Sequence, residues 1–241
     1  MTILAVTGAA ATARYSVQLA TEGDQVKAAQ RLRHRVFAEE LGATLRSTTP
    51  GLDVDEFDVH CDHLIITEDG SGDVVGTYRM LPPGRTDRLY ADGEFHLSPL
   101  APLRDVVVET GRSCVHPDHR TGAVINLMWA GIARYMYLSG RRWLAGCASV
   151  PVADATAVWH QVSARHLAPP ALRVAPRRPW PLGRCPDGRV TVPPLLKGYL
   201  RLGAWVCGPP AYDPDFQVAD LLVLLSLDRV DPRYLRHFLG A

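Results

Sequence analysis

Apolar and polar positions change period along the chain, and the changes mark its elements. Tyr15–Ala20 alternates and predicts a first strand. From Glu22 to Leu41 the period becomes helical, with Val26, Ala29, Leu32, Val36, Phe37 and Leu41 on one stripe. Thr21 is the expected N-cap and Gly42 the stop. Residues 43–62 are polar and rich in Thr and Asp, which predicts a long functional loop. His63–Thr67 and Val74–Leu81 read as a hairpin across Asp69-Gly-Ser-Gly-Asp73, ended by Pro82-Pro-Gly84. Val106–Val115 is the next strand. Ala123–Ser139 follows as an amphipathic helix with Ile125, Met128, Trp129, Ile132, Tyr135 and Met136 inward. Trp143–Val150 is a strand, and Asp154–His166 a helix capped by Asp154. Residues 166–194 are rich in Pro and Arg and read as an irregular excursion. A short helix (Leu195–Leu202), an apolar strand (Asp220–Leu227) and a final helical turn (Arg233–Leu239) complete the chain.

Strands and helices interleave without internal repeats or a Rossmann glycine fingerprint, which predicts the α/β (mixed α+β) class with a mixed sheet. The expected organisation is a disordered leader, 1–13, before a single domain, 14–241. That leader is small and apolar but lacks the basic start of a signal peptide. No apolar run approaches the roughly 18 residues of a membrane span.

Composition narrows the class. At 241 residues, 47% hydrophobic and 21% charged, the chain has the make-up of a globular protein. Five cysteines, at 61, 114, 147, 185 and 207, form no Cys-x-x-Cys pair, and three lie in apolar runs. Reduced core thiols and a cytoplasmic location are expected. Net charge is +1 but segregated: nine acids against Arg46 between Glu39 and Asp69, six arginines against Asp187 between Arg165 and Arg189. Two partners on two faces, or ordinary solvated surface, both account for that pattern. The basic segment lacks interleaved aromatics, which argues against nucleic acid.

The stretch from Val106 to Gly122 concentrates the candidate chemistry. It reads as strand, glycine interruption, anion-friendly loop and helix start, the order a transferase of phosphopantetheine thioesters needs. Glu109 and Arg112, three apart, would face opposite sides of a regular strand. A bulge at Gly111 would return them to one side and leave a backbone N–H for an oxyanion. A structural salt bridge at a sheet end explains the pair as well. Val115, Arg120 and Gly122 frame a helix N-terminus fit for a donor phosphate, or only a plain strand-to-helix turn. Arg33 and Phe37 are helix neighbours, and Arg33 has the fork to grip a carboxylate. Asp53, Asp55 and Asp58 begin like a calcium loop, but Asp58 stands where that loop needs glycine. His60/His63 and His116/His119 lack a third zinc ligand at usable spacing, so no metal is expected. Cys114 has no evident base partner.

Taken together, Arg33-x-x-x-Phe37, Asp55-x-Phe57-Asp58, Gly76-Thr-Tyr-Arg79-Met-Leu-Pro82 and Glu109-x-x-Arg112 resemble the signature of N-acyltransferases in the GNAT superfamily. Two branches share this order: acyl-homoserine lactone synthases and the ornithine N-acyltransferases of ornithine-lipid synthesis. Cys61-Asp-His-Leu64, Gly111-Arg-Ser-Cys-Val115, Gly146-Cys-Ala-Ser149, the Pro194–Ala204 stretch, Asp215–Asp220 and the His237-Phe238 ending favour the second. The resemblance covers about residues 14–239. Thr110 stands where relatives commonly carry a bulky apolar residue, and residues 165–190 match poorly.

The resemblance implies a GNAT-like fold whose central mixed sheet carries a bulged, splayed strand and is flanked by helices. It also implies transfer of a long, often 3-hydroxylated acyl group from acyl carrier protein, or CoA, to the α-amine of ornithine, yielding a lyso-lipid without a cofactor. Peripheral contact with the inner face of the membrane goes with an amphiphilic product. The roles expected are Glu109 as base, Gly111 as the oxyanion bulge, and Arg112 as the group that keeps Glu109 ionised or anchors substrate. Arg33 or Arg79 would hold the amino-acid carboxylate, with Asp55 and Asp58 on the distal ammonium. Rival readings are a homoserine lactone synthase, a non-catalytic acyl-carrier or lipid-binding module, and an acetyl-CoA-dependent enzyme.

Overall fold

The computed structural model describes residues 6–9, 14–184 and 190–239. Its strands are β1 (Val6–Ala9), β2 (Arg14–Leu19), β3 (Asp62–Glu68), β4 (Val74–Leu81), β5 (Phe95–His96), β6 (Val107–Val115), β7 (Trp143–Pro151), β8 (Ala175–Pro176), β9 (Trp205–Val206), β10 (Ala211–Asp213) and β11 (Val218–Ser226). The α-helices are α1 (Gly23–His34), α2 (Gly122–Leu138), α3 (Ala155–His166), α4 (Pro194–Arg201) and α5 (Pro232–Leu239). The chain divides into two compact units, one of residues 1–85, 110–141 and 232–241, the other of 86–109 and 142–231. Strand β6 is cut between them, at Glu109 and Thr110.

In the first unit the strand order is β1-β2-β3-β4-β6, and β1 to β4 run antiparallel. Helix α2 lies on this sheet, and Gly131 is the reason it lies so close: a Cβ there would sit 2.8 Å from a Val17 methyl. Buried α2 residues are Val124, Leu127, Met128, Ile132, Tyr135 and Met136, whereas Ile125 is exposed and Trp129 only half-buried. The seam is therefore turned from the expected one. So apolar a helix start offers more than one face, and the small residue decides which is used.

In the second unit the order is β6-β7-β11-β10, with β9 also on β11 and β5 paired with β8. β7 and β11 are antiparallel, with Cys147 opposite Leu222 and Ser149 opposite Asp220. The fold is mixed α/β, as expected.

Several local expectations change. Residues 6–9, placed in a disordered leader, form β1, while 1–5 and 10–13 lie outside the described residues. Glu22, not Thr21, is the α1 cap, because the Gln25 side chain reaches back to the N–H groups of both. Beyond His34 the helix widens into a π turn, Arg35–Glu40, which leaves Leu41 exposed. Asp154 occupies the α3 cap position, but its side chain makes no capping bond. The 166–194 excursion contains a 3-10 turn, Pro170–Leu172, and β8. Among the described residues no helix is long and apolar enough to cross a membrane.

Candidate active site

Arg33, fully buried on α1, organises the first unit. Its Nε donates to Asp53 Oδ2 at 2.9 Å and its Nη2 to both Asp58 oxygens at 2.8 and 2.9 Å. Nη2 also donates to the Asp53 carbonyl. Arg79 donates to Asp55 Oδ1 at 2.6 Å, while Arg112 approaches Asp53 at 3.2 Å and Asp55 at 3.4 Å. Three guanidinium groups thus face three carboxylates, which is how buried charge becomes tolerable. Burial alone would raise Asp55, but its pairing with Arg79 and Arg112 and the Phe57 N–H hold it below the usual carboxylate range. Burial, partly countered by Asp58, pushes His63 down. A neutral ring that donates from Nε2 to the Asp58 carbonyl (3.2 Å) and accepts at Nδ1 from Arg33 (3.5 Å) fits both contacts.

This cluster explains the family-like motifs of the first unit as architecture. Arg33 and Arg79, expected on the substrate carboxylate, give their donors to aspartates. Asp55 and Asp58, expected on an ammonium or in a calcium loop, accept from those arginines. Phe37 is buried in the π turn. The left-handed residue of β6 is Arg112 (φ 52), not Gly111. Its links to Asp53 and Asp55 offset the 1–2 kcal/mol or so that a side chain pays at positive φ.

Glu109, 5% exposed, belongs to the second unit. Its carboxylate accepts from the Tyr90 N–H at 2.6 Å and the Ala91 N–H at 2.8 Å, the first donors of the 3-10 turn Tyr90–Gly93. Asp92 fixes that turn by accepting from the Leu89 N–H and both terminal nitrogens of Arg104. Beside Glu109 opens an apolar slot lined by Leu89, Leu97, Leu100, Leu103, Val107, Ala145, Leu222 and Leu224. Its empty volume, mouth included, is about 350 Å³. The enclosed part measures only about 10 Å³, room for about one water-sized group, so the leucines close on one another and an alkyl chain would have to part them.

Sequence reasoning singled out Glu109 but not Tyr90, Ala91 and the leucines beside it. Backbone donors leave no trace in side-chain pattern, and Leu97–Leu103 includes an irregular proline-containing 3-10 segment.

Around the α2 start, Thr121 Oγ1 caps the Val124 N–H, and Gly122 has open space where a side chain would sit. Arg120 donates to the Val115 carbonyl and, bidentately, to Glu40 at 2.7 Å. That pair is part-exposed and worth about 0–1 kcal/mol. Cys114 is buried, which pushes its thiol up to about 12 and leaves no thiolate for attack. Tyr15 meets His119 at 3.0 Å, and among the described residues neither histidine pair joins a group of three metal-capable side chains.

The profile of the Acetyltransferase (GNAT) domain matches residues 32–130. A Rhodobacter capsulatus protein named L-ornithine N(alpha)-acyltransferase is 34% identical over 246 residues, 94% of this chain and 95% of that protein. One of the same name from Rhizobium meliloti is 32% identical over 250 residues, 94% and 84%. Two solved structures are similar in fold. The AHL synthase LasI gives a TM-score of 0.58 at 14% identity, covering 95% of this chain and 96% of that one. FeeM, an N-acyl amino acid synthase from uncultured soil microbes, gives 0.58 at 12%, covering 94% and 95%. A third of the residues shared along nearly the whole of both chains is decisive: this acyltransferase belongs to the L-ornithine N(alpha)-acyltransferase family of the GNAT superfamily.

Proposed function

We propose that the protein transfers a long-chain acyl group, 3-hydroxylated chains included, from acyl carrier protein to the α-amine of L-ornithine, giving a lyso-ornithine lipid. The observation that carries this reading is a carboxylate, Glu109, fixed by two backbone N–H groups at the wall of an apolar slot. An α-amine has a pKa near 8, so a useful fraction is neutral at about pH 7.5 and orientation matters more than base strength. The amine nitrogen attacks the thioester carbon, and Glu109, directly or through water, takes the proton. Backbone N–H groups of the Gly111–Arg112 stretch stabilise the oxyanion. The C–S bond then breaks, and the pantetheine sulfur leaves and is protonated. The donor is a co-substrate, so the reaction draws on no further cofactor.

The start of α2, with Val115, Arg120 and Gly122, receives the pantetheine phosphate in this reading. Arg165, Arg173, Arg177, Arg178 and Arg184 are exposed and supply positive charge for an acidic carrier protein. Because the product is amphiphilic, the enzyme works as a peripheral protein at the inner face of the membrane. Purified protein given long-chain acyl carrier protein and a mixture of amino acids should yield N-acyl-ornithine by mass. Donor binding without any product would favour a non-catalytic module. Consumption of S-adenosylmethionine with release of a lactone would favour a homoserine lactone synthase.

A further inference from the structure

Glu94, Asp213 and Asp220, all of the second unit, bring one carboxylate oxygen each to within 4.8 Å of one another. Asp213 accepts from the N–H groups of Asp215 and Phe216, and both aspartates are buried. Glu94 differs: its two oxygens are buried and facing them are the Asp220 carboxyl and the Cys147 thiol, with no cationic partner among the described residues. Burial first, then the charges of Asp220 and Asp213, push the Glu94 carboxyl well above the usual range. Such a group keeps its proton unless a cation sits beside it.

Its place in the fold says which cation. Residues two apart on a strand share a face. On β11, Leu224 and Leu222 line the slot, and the next residue of that row is Asp220. On β7, Ala145 lines it and Cys147 is next. Burial and then the negative charges of Glu94, Asp220 and Glu109 raise the Cys147 thiol, so the same side chain feels all three carboxylates, Glu94 through a hydrogen bond as well. The turn whose first N–H groups hold Glu109 also ends at Glu94. One 3-10 turn of that length spans roughly 6–8 Å. The two nitrogens of an extended 2,5-diamino acid lie about 6 Å apart, by ordinary bond lengths.

We infer that Glu94, Asp213 and Asp220 receive the distal ammonium of a diamino-acid acceptor whose α-amine lies at Glu109. The sheet face thus runs from acyl slot to base to ammonium site. The inference rests on the reading of Glu109 as the base, and it moves selection for a charged side chain from the 53–58 loop to Glu94 and its partners.

The test compares L-ornithine with L-norvaline, which has the same carbon chain without the distal amine. Acylation by long-chain acyl carrier protein is measured for wild type, Glu94→Gln and Asp220→Asn. Wild type should prefer ornithine at least about 100-fold in kcat/KM, because a buried site left with unmet charge rejects the analogue. In either variant the ornithine value should fall ~10- to 100-fold, mainly through KM, and the ornithine-to-norvaline ratio should fall with it. An unaltered ornithine-to-norvaline ratio in both variants overturns the inference while leaving the acyltransferase reading intact. If wild type acylates neither amino acid, that reading fails, and calorimetry with 1,4-diaminobutane decides. Binding by wild type that is lost in Glu94→Gln supports the ammonium site; equal or absent binding overturns it. Tight binding of Mg2+ or Ca2+ that Glu94→Gln abolishes, with no diamine binding, overturns it in favour of a metal site.

Discussion

Replacing Arg33 with methionine removes the one guanidinium that reaches both Asp53 and Asp58 from a fully buried position, while nearly filling its volume. Five donations disappear: one to the Asp53 carboxylate, two to Asp58, one to the Asp53 carbonyl and a long one to His63 Nδ1. Asp53 keeps Arg112 at 3.2 Å and Asp58 keeps Arg79 at 3.6 Å, so neither carboxylate is stranded completely. Breaking a buried pair by removing one partner costs about 3–5 kcal/mol, and the remaining arginines place this case near the lower end, about 3–4 kcal/mol. At roughly 2–4 °C per kcal/mol for a chain of this size, the melting midpoint should fall by ~6–16 °C. Circular dichroism melts and urea titrations measure the loss. Adding Asp58→Asn to the variant should recover part of it, since the excess negative charge then goes. Below the new midpoint, KM for the amino acid should stay within about threefold of wild type. Wild-type stability combined with a KM raised 100-fold would refute the reasoning and put Arg33 on the substrate carboxylate.

Three further outcomes are expected. Leu103→Trp adds bulk to a wall of the slot, so competition among donors of different chain length should shift towards shorter products; an unchanged product profile would remove the slot as the acyl site. Gly208→Ala drives a Cβ into the Val174 carbonyl, which should cost about 1–3 kcal/mol in urea titration, and a neutral result would contradict that packing. Burial holds His63 below its ordinary 6.5, so the unfolded chain binds a proton that the folded one refuses. The His63 contribution is therefore complete above about pH 6.5 and is lost as pH falls from there through the folded pKa. His63→Gln should flatten the urea midpoint between pH 7.5 and 5 relative to wild type, and parallel slopes would assign the dependence elsewhere.

The longer elements were legible because each presents several periods of one pattern. The β3–β4 hairpin, β6, α2, β7 and β11 are expected within a residue or two of their observed bounds. Two- and three-residue strands such as β5, β8, β9 and β10 present no period and were not found. The site divides in the same way. Glu109 announced itself as a charge in an oily strand, but the groups that hold it are N–H groups of residues 90 and 91, eighteen or nineteen positions away. The acids of 53–58 were visible, yet their partners Arg33, Arg79 and Arg112 come from three separate elements, so spacing alone left them free for substrate. Glu94, Asp213 and Asp220 are likewise scattered over more than 120 positions and meet only through the fold. Gly111 looked like the natural irregular residue of β6; ion pairing lets its neighbour Arg112 take that conformation instead.

That Glu109 takes the proton from the attacking amine is the claim on which the mechanism depends, and single-turnover acyl transfer by Glu109→Gln addresses it without interference from donor loading or product release. With acyl carrier protein as donor and ornithine saturating, the transfer rate should fall ~10²- to 10⁴-fold, with donor affinity and melting temperature held near wild type. A transfer rate equal to that of wild type would contradict the account.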